Sequence, residues 1–173
     1  MSYGKTVRKC IVLFLVNKTL KGTQQKYFEI KRRLLNSIGY QIGENTKIVG
    51  PIHCVHPITI GKNCWIGENF TVHGDGKVLI GDNCDLAPDV VFLTGGHEIG
   101  DCHRRAGAGQ TYSISIGSGV WIGARSTIGR NVTIADGCVV AACACVMNSV
   151  EADTLVGGVP AKVIRRLESE TNN

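Results

Sequence analysis

The chain has 173 residues, enough for one domain with a continuous core and too few for two typical domains. Hydrophobic residues make up 43% but aromatic residues only 6%, which asks for an aliphatic core, and the 22 glycines recur with a period, which excludes a disordered glycine-rich chain. The net charge of +5 is unevenly placed: residues 1–40 hold nine Lys and Arg against the single acid Glu29, and the remainder is net negative, so the body is not a basic surface and no nucleic-acid partner is expected.

In chain order, residues 5–20 contain an apolar run from Cys10 to Val16 with basic flanks. This falls far short of the roughly 20 residues that span a bilayer. No small-x-small cleavage site follows it, as a signal peptide would need. The segment reads as an amphipathic helix packed on the rest of the chain or on a partner subunit; the alternative is peripheral contact of residues 1–22 with an anionic membrane surface. Residues 24–38 place Tyr27, Ile30, Leu34 and Ile38 at helical spacing, which predicts a second helix ending near Gly39.

From about Lys47 a period of six takes over. Ile48, Cys54, Ile60, Ile66 and Val72 fall six apart; HGDGKV inserts two residues; Ile80, Leu86 and Phe92 resume the count. The rhythm stops at Thr94 and restarts at Ile116 with five hexads, IGSGVW, IGARST, IGRNVT, IADGCV and VAACAC. Six fits neither a helix nor an alternating strand; it marks a repeat in which each unit lays down a short flat face and turns a corner. The first residue of each hexad is expected to fill the core, and the fifth, which is small or modest, to point in where there is less room. The fourth is Asn63, Asn69, Asn83, Gly119, Asn131 and Gly137 in six hexads, residues that take left-handed backbone angles cheaply, so it is the corner. Three hexads make one triangular coil, and residues 18 apart should stack, Ile116 over Ile134 and Ile122 over Val140. Cys64, Cys84 and Cys138 stand at fifth positions and read as small buried hydrophobes. The eight cysteines form no disulfide framework, Cys143-Ala-Cys145 is weak as a metal pair, and a cytoplasmic compartment is expected. These readings divide the chain into a basic helical segment at 1–45, a repeat domain at 46–157 with a loop at 94–115, and a tail at 158–173. The loop, polar and Gly-rich, is long enough to suggest function.

Four stretches in order, IGDNCDLAPDV, TGGHEIG, ISIGSGVWIGARSTI and GGVPAKVIRRL, resemble the hexapeptide-repeat acetyltransferases, most closely the galactoside and maltose acetyltransferase branch. The resemblance covers about residues 46–167. It implies a left-handed parallel β-helix with N-terminal helices and a short C-terminal helical tail. It also implies a homotrimer with active sites between subunits, and acetyl-CoA as donor.

The resemblance places His97 as the general base for a direct attack of an acceptor hydroxyl on the thioester; a hydroxyl is a poor nucleophile until a base takes its proton, and an imidazole suits that task. Glu98 stands beside it as a partner for an imidazolium or an acceptor contact, with a solvated loop carboxylate as the alternative. The backbone amide of Gly123 or Ala124, just after Trp121, is the candidate donor to the developing oxyanion. Ala124 and Ala142 match positions that touch pantetheine, and Lys162 and Arg165 match cations that serve the adenosine phosphates. Asn148 follows Met147 where relatives place Thr-Lys. Asp75, in the longer corner, matches an acidic acceptor contact, although Asp-Gly is also ordinary turn chemistry. Gly67 stands where sugar-specific relatives carry Asn. No metal is expected: His53 and His56 have ligand-like chemistry, but with the other histidines they form no triad of the kind a zinc site needs. The expected function is O-acetylation of a saccharide or saccharide-like hydroxyl. An antibiotic, serine or amino-sugar acetyltransferase, a zinc carbonic anhydrase-like protein, and a non-catalytic scaffold remain as alternatives.

Overall fold

The computed structural model describes residues 3–54 and 56–168. Two helices, α1 (Tyr3–Phe14, continued by a π-helical turn at Leu15–Thr19) and α2 (Gln25–Asn36), precede a left-handed parallel β-helix. None of the described helices is long and apolar enough to cross a membrane.

The period of six appears as three flat faces. The first holds Gln41–Ile42, Thr59–Ile60, Val78–Ile80, Ile114–Ile116 and Thr133–Ile134. The second runs from Lys47–Ile48 through Trp65–Ile66, Asp85–Leu86, Trp121–Ile122 and Val139–Val140 to Thr154–Gly158, and the third from Ile52–Cys54 to Cys145–Val146. Strands pair in parallel at the expected offset: Ile116 with Ile134, Ile122 with Val140, Ile128 with Val146. The two residues added by HGDGKV lengthen the offset there, so Ile80 pairs with Ile60.

First-position residues Ile116, Ile122, Ile128, Ile134 and Val140 are buried, as are fifth-position Val120, Ser126, Val132, Cys138 and Ala144. Corners take positive φ at Asn63, Asn69, Asn83, Gly119, Asn131 and Gly137, and also at Arg125 and Cys143, where the stacked neighbours impose a conformation the residue does not favour by itself. The buried cysteines do more than fill space. Cys84 Sγ donates to Gly117 O at 3.0 Å and Cys138 Sγ to Glu151 O at 3.0 Å, satisfying carbonyls inside the corners.

Four sequence expectations are corrected. The coil begins at Gln41–Ile42, six residues before Ile48, because Ile42 pairs with Ile60. The interruption is mostly ordered: Gly95–Ile99 and Ala106–Thr111 form an antiparallel arm, and Ile114 is already in register with Val78. Small residues such as Ala106-Gly-Ala-Gly109 carry little strand preference alone, and cross-strand pairing overrides it. The C-terminal tail is not helical. Ala161–Arg166 turns back at Val159-Pro160 and pairs antiparallel with Thr154–Gly158; proline supplies no amide to a helix, and the open edge of the last coil offers a ladder instead. Residues 169–173 of that tail lie outside the described residues. The fourth concerns Gly123 and belongs with the site.

The helices close the other end. Phe28 packs edge-on against Trp65 with ring centroids 5.8 Å apart, and Val12, Val16 and Leu35 join the core of the coil. Lys31 is fully buried there; its Nζ donates to Gly22 O and Val49 O, each at 3.0 Å, and stands 4.8 Å from the centre of the Phe28 ring. Burial lowers its pKa from 10.5 to about 8. The folded chain therefore holds this proton more weakly than the unfolded chain. Stability should rise as pH goes from about 8 toward 10.5, by on the order of 3 kcal/mol in all, and this group contributes no slope below that window. Urea unfolding across the window, compared with Lys31→Met, tests it; equal slopes in the two proteins would refute the assignment.

Candidate active site

Both departures from the repeat meet at one corner, between the third and first faces. The corner Gly74-Asp75-Gly76 lies against the root of the arm. Thr94 N donates to His73 O at 2.7 Å, Thr94 Oγ1 accepts from Gly76 N at 3.2 Å, and Tyr112 N donates to Thr94 O at 2.8 Å. A Cβ on Gly74 would lie 2.6 Å from Gly95 Cα, which is why this contact needs glycine. The insertion that adds Asp75 and the insertion that adds the arm are thus one structural unit.

On the arm His97 pairs with Gly109, and its Nδ1 lies 2.9 Å from Gly107 O. A carbonyl only accepts, so Nδ1 carries a proton, and in the neutral ring Nε2 is the nitrogen that bears the lone pair. Glu98, next in the strand, points to the other side of the arm, where it accepts a 2.6 Å hydrogen bond from Gln110 Nε2. Its carboxylate is engaged with Gln110, and the imidazole is held by backbone instead. Asp75 Oδ1 lies 3.4 Å from His56 Nε2. Among the described residues no three His, Cys, Asp or Glu side chains converge as a metal site.

The other predicted site residues stand elsewhere. Trp121 projects from the second face, 56% exposed, with Asp85 and Val139 beside it in the sheet. Ala124 and Ala142 stack 18 apart at the corner between the second and third faces, adjoining Gly123 and Cys143. Here the fourth correction applies. Gly123 N donates to Val140 O at 2.8 Å within the coil, so this amide is not open to an oxyanion. Ala124 N and Ala142 N have no acceptor among the described residues. The contrast with the preceding corner explains why: there Lys62 N donates to Asp82 Oδ1 at 2.9 Å and Ser118 N to Asp136 Oδ1 at 2.7 Å, side chains that alanine replaces at this corner.

At the C-terminal hairpin, Leu155 pairs with Arg165 and Gly157 with Lys162, with a bulge that skips Ile164. Directly opposed residues share a face, so the bulge puts Lys162 and Arg165, three apart, on one side. Arg166 has a different task. It pairs with Glu151 and donates to Ala152 O and Thr154 Oγ1, clasping the hairpin to the last coil; the guanidinium holds the Glu151 carboxyl below its ordinary range. Asn148 and Lys162 both line a cavity of about 330 Å³ at the open end of the coil. At Gly67 an added Cβ would lie 2.7 Å from the Ala87–Pro88 backbone, so this coil has no room for the Asn that the resemblance expects in a sugar-specific site.

Within one chain, then, His97 and Asp75 share a corner, while Trp121 and the open amides of Ala124 and Ala142 lie across the width of the third face. Residues that sequence reasoning missed are Gly107, which sets the His97 tautomer, and Thr94 and Tyr112, which lock the arm to the corner. Their signal is the backbone pairing of the arm, which no side chain announces.

Comparisons with known proteins agree with this architecture. The family described as bacterial transferase hexapeptide (six repeats) matches residues 113–148, and the hexapeptide repeat of succinyl-transferase matches residues 57–90. Galactoside O-acetyltransferase of Escherichia coli (strain K12) is 33% identical over 164 residues, covering 88% of this chain and 81% of the relative. Among solved structures, a galactoside acetyltransferase in complex with coenzyme A superposes with a TM-score of 0.80 at 27% identity, covering 97% of this chain and 84% of that one. A hexapeptide-repeat-containing acetyltransferase from Vibrio cholerae complexed with acetyl coenzyme A gives 0.80 at 26% identity, covering 96% and 88%. With the repeat matched on both sides of the arm and a relative of this identity aligned over most of both chains, the chain belongs to the hexapeptide-repeat acetyltransferases.

Proposed function

We propose that the chain transfers the acetyl group of acetyl-CoA to a hydroxyl of a saccharide or saccharide-like acceptor, with His97 as general base. The observation that carries the reading is the Nδ1–H to Gly107 O hydrogen bond, which leaves Nε2 as a free, solvent-facing proton acceptor on an arm rooted beside Asp75. In the reaction, the acceptor oxygen attacks the thioester carbonyl as Nε2 takes the hydroxyl proton. The carbon–sulfur bond then breaks, and the proton passes to the departing thiolate, giving the ester and free coenzyme A. Asp75 contacts the acceptor, and Glu98 bears on it only through Gln110. The Ala124 amide is the donor to the developing oxyanion, in place of Gly123.

The donor lies along the corner of Ala124 and Ala142, where methyl side chains leave room for pantetheine and open amides offer it donors. Lys162 and Arg165 hold its phosphates, with Asn148 and Trp121 at the margins. Because this corner and the His97 corner are separated by a whole face, a complete site takes His97 from one copy and the Ala124–Ala142 edge from another. That requirement supports a homotrimer. The residue at Gly67 supports an acceptor other than a galactoside.

Coenzyme release measured with a thiol dye over sugars, amino sugars, serine and antibiotics tests the acceptor class; turnover confined to an amine would overturn O-acetylation. Ala142→Leu, which fills the edge, should raise KM for acetyl-CoA about tenfold or more by displacing a fitted ligand, with folding intact. An unchanged KM would remove the donor from this edge. A light-scattering mass of a single chain would remove the shared site.

A further inference from the structure

Helix α1 is apolar on two opposite sides. Val12 and Val16 are buried on the coil, with Leu13 packed beside them. Facing away, Val7, Ile11 and Phe14 are 44%, 55% and 62% exposed, and exposed Cys10 lies between them. Steps of four and three place these on one stripe. Large apolar side chains grouped on one exposed face mark an interaction surface, so the outer stripe calls for an occupant. The helix is Tyr3–Phe14, YGKTVRKCIVLF, without an acid, and Lys18 and Lys21 follow it. Beneath its first turns runs a cavity of about 460 Å³. Arg8, Lys9 and His56 line it with the hydroxyl residues Thr6 and Ser37, over an apolar side at Ile38 and Pro57, and no carboxylate among the described residues lines it. The acid that reaches this region is Asp75, through His56. Glu29, the acid of α2, is committed to Arg32 and Arg33.

We infer that α1 docks the protein on a bilayer bearing anionic phospholipid, with the Val7–Ile11–Phe14 stripe in the headgroup and acyl boundary and Arg8, Lys18 and Lys21 at its margins against lipid phosphates. Charge complementarity selects this occupant over a second copy that presents the same face. Two such faces brought together would set Arg8, Lys18 and Lys21 against their own counterparts, whereas an anionic surface neutralises all of them. At 12 residues the helix is about 18 Å long, too short for a hydrocarbon core of about 30 Å, so it lies in the interface and does not cross it. The stripe supplies the apolar burial and the basic rim the lipid selectivity, the two signals that a stable peripheral attachment needs. This inference goes beyond acetyl transfer and does not depend on it.

The experiment is sedimentation of the full chain with vesicles of phosphatidylcholine alone or mixed with phosphatidylglycerol. The expected result is binding to the mixed vesicles that weakens as salt is raised. Arg8→Ala should lower the partition coefficient about fivefold, and the double substitution Ile11→Asp, Phe14→Asp about tenfold or more. Circular dichroism of each variant separates lost docking from lost folding, and coenzyme release by the same variants without vesicles separates it from lost acetyl transfer. Equal binding to both vesicle types, no binding to either, or full binding by a folded double variant would overturn the inference. So would a drop in light-scattering mass of the lipid-free double variant, since the stripe would then be covered by another copy. The vesicle comparison on the unsubstituted chain decides the matter even if the double variant fails to fold.

Discussion

Replacing His97 with alanine should lower kcat about a thousandfold and leave the unfolding transition where it is. General bases contribute about 10²–10⁴ to such reactions, and among the described residues of the arm no other replaces this one. Glu98 is turned to the opposite side and held by Gln110, and His103 lies beyond the paired part of the arm. Stability is spared because His97 is exposed and its one intrachain hydrogen bond joins two strands already paired on both sides of it. The KM for acetyl-CoA should change little, since the donor edge lies on another corner. The measurement is steady-state coenzyme release with the acceptor that the panel identifies. An undiminished rate for the variant would end the base assignment.

Gly76→Ala should damage both stability and turnover, although residue 76 touches no reactant. A Cβ there would sit 1.7 Å from Tyr112 O and 2.7 Å from Thr94 Cβ. Neither neighbour yields easily. Tyr112 is tied through its amide to Thr94 O, and Thr94 is tied to His73, so backbone must move. Overpacking of this kind costs about 1–3 kcal/mol. The displaced element is the junction that sets the Asp75 corner against the arm bearing His97, and a misplacement of about 1 Å in a reacting pair costs about a hundredfold in rate. Urea unfolding and kcat should therefore fall together. Gly109→Ala is the control for stability: it stands on the same arm with open space around its Cβ position, and its unfolding midpoint should match that of the unsubstituted chain. A Gly76→Ala protein with normal turnover would show that the corner and the arm act separately.

The repeat was legible because its rule is local. A hexad needs one inward aliphatic residue, one small inward residue and one corner, and each leaves its mark within six residues; Ile116 to Ala144 follow that rule in sequence and in burial. The same strictness marked the two interruptions, and with them Asp75 and His97. The helical segments were legible from apolar spacing, but not the face they bury: α2 buries Phe28, Lys31 and Leu35, and Ile30 of the expected stripe is 45% exposed. The tail misled because the resemblance set it as a helix, while its partner, the exposed edge of Thr154–Gly158, is set by the last coil and lies in no local pattern. The arm was read as a loop for a related reason: its order comes from pairing residues such as His97 with Gly109.

What the sequence by itself determined is the coil, its inward residues, its corners and the positions where it breaks. Those follow from side-chain size and backbone preference, which each residue carries with it. The tertiary structure decided which polar atoms are open. It engaged the Gly123 amide with Val140 and left those of Ala124 and Ala142 open; it turned Glu98 toward Gln110 and fixed the His97 proton on Nδ1 through Gly107. Hydrogen-bond donors and acceptors are the same in the backbone of every residue but proline, and only the stacking of one coil on the next settles which of them remain for a ligand.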